Sequence, residues 1–424
     1  KEHVGEGRKE GGKGKKKVRI VGRKKDGRKP GTSVTVGAGG RKVFRGTPRA
    51  SVHVIPDDIK NNVELQDAIK VLPGNYNFEV YKTIHRVRLA GAKRVALQLP
   101  EGLLIFSLSL VEILERFAAV EVVVMGDVTY GACCVDDFTA AALGCDFLVH
   151  YAHSCLVPVD ITTMNVLYVF VDIKIDLDHF VETAKRNLNP QVRTALVSTI
   201  QFAASLHVAE KELCGHFEEG KLMIPQSKPL SPGEVLGCTS AKLPADVGAV
   251  VYLGDGRFHL ESVMIHNPHV AEYYCYDPYG KKMTREGYDT PAMHALRRDA
   301  VVKATGAVKF GVILGTLGRQ GNPAILRHLE GLLQRAGKQW FVVLLSEIFP
   351  AKLGLFGDVD AWIQIACPRL SIDWGYAFSV PVLNPYEAQV ALGAEQWQAV
   401  YPMDYYSTEG GDWNNASCRT KYSD

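Results

Sequence analysis

Three times between residues 94 and 365 the chain passes through the same order of patterns: a continuous apolar run, a polar break, helical periodicity, and further apolar runs. A strand that is apolar at every position, not at every second one, is buried on both faces, as in parallel sheets covered by helices. The first copy runs through Arg94-Val95-Ala96-Leu97-Gln98-Leu99, Val120 to Met125 and Phe147-Leu148-Val149-His150-Tyr151. The second uses Thr194 to Ser198, Leu222-Met223-Ile224 and Val247 to Leu253, and the third Phe310 to Leu314, Phe341 to Leu345 and Ala361 to Ile365. The expected fold is therefore α/β, with three homologous Rossmann-like parallel-sheet domains over residues 51–185, 186–300 and 301–400. A length of 424 residues agrees with division, since single cores stop growing near about 300 residues.

Charge separates the ends from the body. The first 49 residues hold 17 Lys and Arg against 4 Asp and Glu, so a segment of net charge +13 precedes a body of −10. With few large apolar residues to pack, residues 1–50 read as a disordered basic tail, and residues 401–424 as a C-terminal tail. Between them, Ile59/Val63 and Leu65/Ile69 share a helical face that Pro73-Gly74 ends. There is no run of about 18 apolar residues and no charged-then-apolar leader, so a cytoplasmic setting is expected.

Nine cysteines are too sparse for a disulfide framework, and their number is odd. Ligands of parallel α/β sheets bind at the carboxyl ends of the strands. Cys133 and Cys238 each follow the second strand of their copy, in Gly131-Ala132-Cys133-Cys134 and Leu236-Gly237-Cys238-Thr239; Cys367 follows the third strand, in Ile365-Ala366-Cys367-Pro368-Arg369. One thiolate per copy suits a site on a pseudo-threefold axis. Three thiolates do not close a four-coordinate zinc site, but they can hold a 4Fe-4S cluster with one iron left open. Taken singly, each cysteine is more at home as a small buried hydrophobe. Cys134, pointing elsewhere than its neighbour, is expected to be a non-ligand. Gly315, Gly318 and Gly321 lack the spacing of a phosphate loop.

Several motifs resemble those of the diphthamide synthesis family, the 2-(3-amino-3-carboxypropyl)histidine synthases. They include Leu72-Pro73-Gly74-Asn75-Tyr76-Asn77-Phe78-Glu79, Gln98-Leu99-Pro100-Glu101-Gly102-Leu103, His150-Tyr151-Ala152-His153-Ser154-Cys155, Gly254-Asp255-Gly256-Arg257-Phe258-His259 and Ala366-Cys367-Pro368-Arg369-Leu370-Ser371-Ile372-Asp373-Trp374-Gly375, within residues 55–400. The resemblance implies that Cys133, Cys238 and Cys367 ligate a 4Fe-4S cluster. It also implies radical cleavage of S-adenosylmethionine, with transfer of its 3-amino-3-carboxypropyl group to C2 of a histidine imidazole in translation elongation factor 2. Implied partners are diphthamide biosynthesis protein 2, as a heterodimer, and diphthamide biosynthesis protein 3, as electron donor.

The methionine end of that co-substrate needs a cation and an acceptor, for which Arg369, Asp373 and Gln320 are candidates. A structural cap is the competing role for Arg369 and a helix N-cap for Asp373. Glu101, Gln201 and His153 lie on comparable strand-end loops, His153 being better suited to a structural hydrogen bond. Competing readings are a quinolinate-synthase-like dehydratase, a non-catalytic electron-relay subunit, and a sugar- or nucleotide-binding protein with incidental cysteines.

Overall fold

In the computed structural model, residues 54–126 and 131–415 are described. The described residues from Ile55 to Asn415 form one compact unit. The tail expected over 1–50, the Asp127–Tyr130 stretch of the first cysteine loop, and Cys418 lie outside the described residues.

The strands, in chain order, begin with β1 (Tyr76–Asn77), β2 (Arg94–Gln98), β3 (Glu121–Val124), β4 (Phe147–Tyr151), β5 (Asn165–Val169) and β6 (Asp172–Ile173). Next come β7 (Thr194–Ser198), β8 (Leu222–Met223), β9 (Ala249–Leu253), β10 (Glu272–Asp277) and β11 (Lys282–Glu286). The last are β12 (Lys309–Gly315), β13 (Gln339–Leu345), β14 (Ala361–Ile365) and β15 (Val382–Leu383). They form three main sheets, β3-β2-β4-β5, β8-β7-β9-β10-β11 and β13-β12-β14-β15. Each sheet has the same parallel core, in which the second strand, the first, the third and the fourth lie side by side. The sequence reading assigns three strands to each copy; the fourth (β5, β10, β15) is added at the edge, and in the second sheet β11 folds back antiparallel on β10.

The central strands owe their place to their composition. Every residue of β4, β7, β9 and β14 is buried, as continuous apolar runs between two helix layers require. Two buried amides interrupt this pattern at the carboxyl ends of β2 and β14, Gln98 and Gln364. The N-terminal helical stretch is split, Asp57–Lys60 and Val63–Ile69, because the Asn62 side chain accepts a hydrogen bond from the Leu65 N–H at 3.0 Å and starts a new helix.

Residues 401–415 do not behave as a tail. Tyr401, Met403, Tyr405 and Trp413 are buried in a cluster with Leu230, Ile265 and Tyr386. This strap is laced to the loop after β8 by Ser240 N–H to the Met403 carbonyl at 2.9 Å, and by Tyr405 N–H to the Cys238 carbonyl at 3.3 Å. Periodicity gave no sign of it, since the strap forms neither helix nor strand and its aromatic spacing is irregular.

Candidate functional site

Cys133, Cys238 and Cys367, 105 and 129 residues apart in sequence, line one cavity of about 470 Å³. They come from the loops of three different sheets. Cys367 is the residue before the helix Pro368–Trp374, whose Pro368 starts it with a fixed φ and no N–H to waste. Cys238 sits in a tight turn closed by paired hydrogen bonds between Leu236 and Thr239, directly after Val235 N–H has joined the Ser198 carbonyl at the end of β7. Cys133 ends a short turn in which Cys134 N–H bonds the Gly131 carbonyl at 2.9 Å.

Two of the loops are anchored by buried side-chain amides. The Gln98 amide donates to the Cys134 carbonyl at 2.7 Å, while its oxygen accepts from Asp136 N–H. Gln364 repeats the device: its amide donates to the Cys367 carbonyl at 2.9 Å and to Ser371 Oγ at 3.0 Å. A buried amide left unpaired costs about 1–3 kcal/mol, so each glutamine holds its loop as firmly as the loop satisfies it. Sequence reasoning passed over both. The available signal was a glutamine near the carboxyl end of an otherwise apolar strand.

The loop after β12 packs on the first cysteine loop. Arg319 N–H bonds the Cys133 carbonyl at 2.9 Å. Gly318 has φ +55°, and a Cβ there would stand 2.5 Å from the Cys134 carbonyl carbon. This glycine is required for close approach to a protein backbone, not for a phosphate.

The three thiols share one electrostatic environment. The Cys134 thiol, hydrogen-bonded to Cys133, raises the Cys133 thiol well above its ordinary value, with burial and the Cys238 and Cys367 sulfurs adding to it. Burial, then Cys367, pushes Cys238 up to about 12. Burial likewise raises Cys367. As free thiols all three are neutral, and a bound cation is what would make thiolates of them. Cys134 is buried behind the cavity wall, with the Gln320 amide 3.5 Å from its sulfur. It does not line the cavity.

Of the other candidates, Gln320, Arg369, Asp373 and His153 line the cavity, whereas Glu101 and Gln201 do not. The Gln201 amide instead bonds the Ala152 carbonyl. Arg369 is only 3% exposed. Its Nε donates to both Asp373 oxygens at 2.9 Å, one terminal nitrogen donates to the Gly237 carbonyl at 3.1 Å and the Phe258 carbonyl at 2.7 Å, and the other to Glu261 at 2.5 Å. A guanidinium has five N–H groups, so one remains. One N–H is too few for a forked grip on a ligand carboxylate in this arrangement. Arg369 instead ties the Cys367 helix to the Cys238 loop. Asp373 is correspondingly not an N-cap; it lies in the last turn of that helix.

His153 and His259 also border the cavity. Burial lowers each to about 4, so both are uncharged at neutral pH. His153 donates from Nδ1 to the Tyr151 carbonyl at 3.1 Å, the tautomer the carbonyl requires. Leu156, Leu236, Phe258 and Leu370 supply apolar wall. Among the described residues, no group of three His, Cys, Asp or Glu side chains could hold a single metal ion. The three thiols face a shared space without meeting at a point.

A parallel α/β protein whose strand-end loops deliver three cysteines to one apolar cavity is a defined class, and the matches to known proteins say which. A family model for diphthamide synthesis proteins matches residues 99–402. This chain belongs to the diphthamide synthesis family. It is 58% identical to 2-(3-amino-3-carboxypropyl)histidine synthase subunit 1 of Dictyostelium discoideum, covering 89% of this chain and 81% of that one. It is also 58% identical to the subunit 1 of Homo sapiens, over 86% and 84% of the two chains. Among solved structures it is similar to Dph2 from Pyrococcus horikoshii with a 4Fe-4S cluster, with TM-score 0.64 and 26% identity over 78% of this chain and 94% of that one. Among the described residues no helix is long and apolar enough to cross a membrane.

Proposed function

We propose that this chain is the cluster-bearing subunit of a transferase that moves the 3-amino-3-carboxypropyl group of S-adenosylmethionine to C2 of a histidine imidazole in translation elongation factor 2. This would be the first step of diphthamide formation. The observation that carries the proposal is the meeting of Cys133, Cys238 and Cys367 at one cavity. Relatives covering most of the chain bear the name of a histidine synthase subunit 1, and a protein of the same fold is described with a 4Fe-4S cluster. On this reading the three sheets are three homologous domains in pseudo-threefold arrangement around the cluster, in a cytoplasmic protein.

The residues present fit such a group: three sulfur donors, one from each of three loops, around one shared space. When bound, the cluster would supply one electron and an open iron for the sulfonium. On this reading Asp373 accepts from the methionine ammonium, and Gln320 and the one spare Arg369 N–H donate to its carboxylate; all three side chains line the cavity. Asp373 is held ready by Arg369, which fixes its rotamer before any ligand arrives. The neutral His153 and His259 add no charge to repel a sulfonium cation. Position then decides which carbon-sulfur bond is aligned for cleavage. The name subunit 1 carried by relatives accords with a heterodimer with diphthamide biosynthesis protein 2, supplied with electrons by diphthamide biosynthesis protein 3.

The test is anaerobic purification with iron and sulfide analysis, then incubation with dithionite, S-adenosylmethionine and elongation factor 2 in the presence of the partner subunit. Methylthioadenosine together with a modified histidine is the expected result. Formation of 5′-deoxyadenosine, or a chain that takes up no iron and sulfide, overturns the proposal.

A further inference from the structure

The strap at residues 401–415 does more than cover the site. Its Tyr406 lines the same cavity as the three cysteines and packs in one cluster with Cys133, Cys238, Ala132 and Leu236. The backbone of Tyr406 is fixed to the Cys238 loop: its N–H donates to Thr239 Oγ1 at 3.0 Å, and that hydroxyl in turn lies 3.8 Å from Cys238 Sγ. The side chain is buried in the same cluster as Cys133 and lines the same cavity, which brings its hydroxyl into the neighbourhood of that sulfur. The residue is 8% exposed, so water does not compete strongly for that hydroxyl.

We propose that Tyr406 is a positioning residue that bridges two of the three cysteine loops and donates its hydroxyl hydrogen to the Cys133 sulfur. The inference rests on the cluster reading above. A phenylalanine would fill the same volume and keep the backbone tie, so the hydroxyl is the informative atom. Donation to a thiolate spreads its negative charge and stabilises the more negative state of whatever the thiolates hold. Hydrogen bonds to ligand sulfurs are among the features that set cluster potentials. Removing the donor should lower the potential, and sharpening it should raise it.

The experiment uses the full chain, reconstituted anaerobically, with iron and sulfide measured first and the reduced cluster then titrated against potential by electron paramagnetic resonance. Tyr406→Phe should retain the iron and sulfide of the unaltered chain and shift the midpoint to more negative potential. Tyr406→3-fluorotyrosine, whose hydroxyl is the more acidic donor, should shift it to more positive potential. Shifts of opposite sign at equal iron content are not expected of a purely space-filling side chain. If Tyr406→Phe takes up no iron, the fluorotyrosine arm decides alone. Midpoints that stay put, or move the same way in both variants, overturn the role of Tyr406 while leaving the cluster intact. An unaltered chain without iron and sulfide overturns the cluster reading and this inference with it.

Discussion

At the scale of the residue, the site separates side chains that face the cavity from those that hold the facing ones. Replacing Cys133, Cys238 or Cys367 singly by Ala should abolish iron and sulfide retention, while Cys145→Ala, buried in another cluster, should leave both unchanged; metal analysis with visible absorbance is the check. Arg369 belongs to the second kind. Its guanidinium is nearly inaccessible, with Glu261 and Asp373 as partners. Arg369→Ala leaves two partly buried carboxylates facing each other without their counter-ion, a loss of about 3 kcal/mol. A lowered midpoint in urea denaturation is expected, together with weaker iron retention, because the tie to the Gly237 carbonyl goes too. Arg369→Lys should recover little, since one ammonium cannot reproduce bonds that diverge from a planar fork.

At the scale of the element, Glu234 lies in the segment that leads to the Cys238 turn, only 2% exposed. One carboxyl oxygen accepts from Ser231 N–H at 2.9 Å; the other is buried with no partner. Burial raises this carboxyl from 4.5 to about 7. The folded state therefore holds its proton more tightly than the unfolded chain, so the contribution to stability is complete below about pH 4.5 and fades as pH rises through about 7. Thermal melting should drop between pH 5.5 and 8, and Glu234→Gln should flatten that slope; an unchanged slope sinks the assignment. None of this could be seen in sequence, where Glu234 reads as an ordinary loop residue. The parallel strands could, because burial on both faces writes itself as an unbroken apolar run. So could the position of Cys367, directly after such a strand. The short edge strand β15 and the strap could not. Two residues carry no period, and the strap is held by aromatic packing and scattered backbone bonds. Arg369 misled for a related reason: residue type shows that a guanidinium can grip a carboxylate, but only the fold shows that its hydrogens are already engaged.

At the scale of the whole molecule, the site depends on sheets distant in sequence being held in register with one another. A buried ion pair between the first and third sheets joins Asp137 to Arg319, 182 residues apart, through two bonds of 2.8 and 2.6 Å. Asp137 is fully buried. It also accepts from Thr163 N–H at 2.6 Å, and Arg319 lies 4.0 Å above the Phe138 ring. Burial alone would raise the Asp137 carboxyl, but the hydrogen bonds from Arg319 and Thr163 outweigh it and hold it below the ordinary value. Its contribution is thus present above about pH 4 and disappears as pH falls through the lowered value, opposite in sign to that of Glu234. Arg319→Ala strands a charge in the interior and should cost about 3–5 kcal/mol. Asp137→Ala should cost less, because Arg319 is partly exposed and can turn to water. In a double-mutant cycle the pair should lose markedly less than the sum of the two single losses, the excess being their coupling. The Arg319 backbone N–H that bonds the Cys133 carbonyl is kept in both variants, but the loop that carries it loses its side-chain anchor, so the same single variants should release bound iron to a chelator faster than the unaltered chain. Additive losses, with chelation rates unmoved, would mean that the first and third sheets are held together elsewhere and that this buried pair has no part in assembling the cysteine cavity.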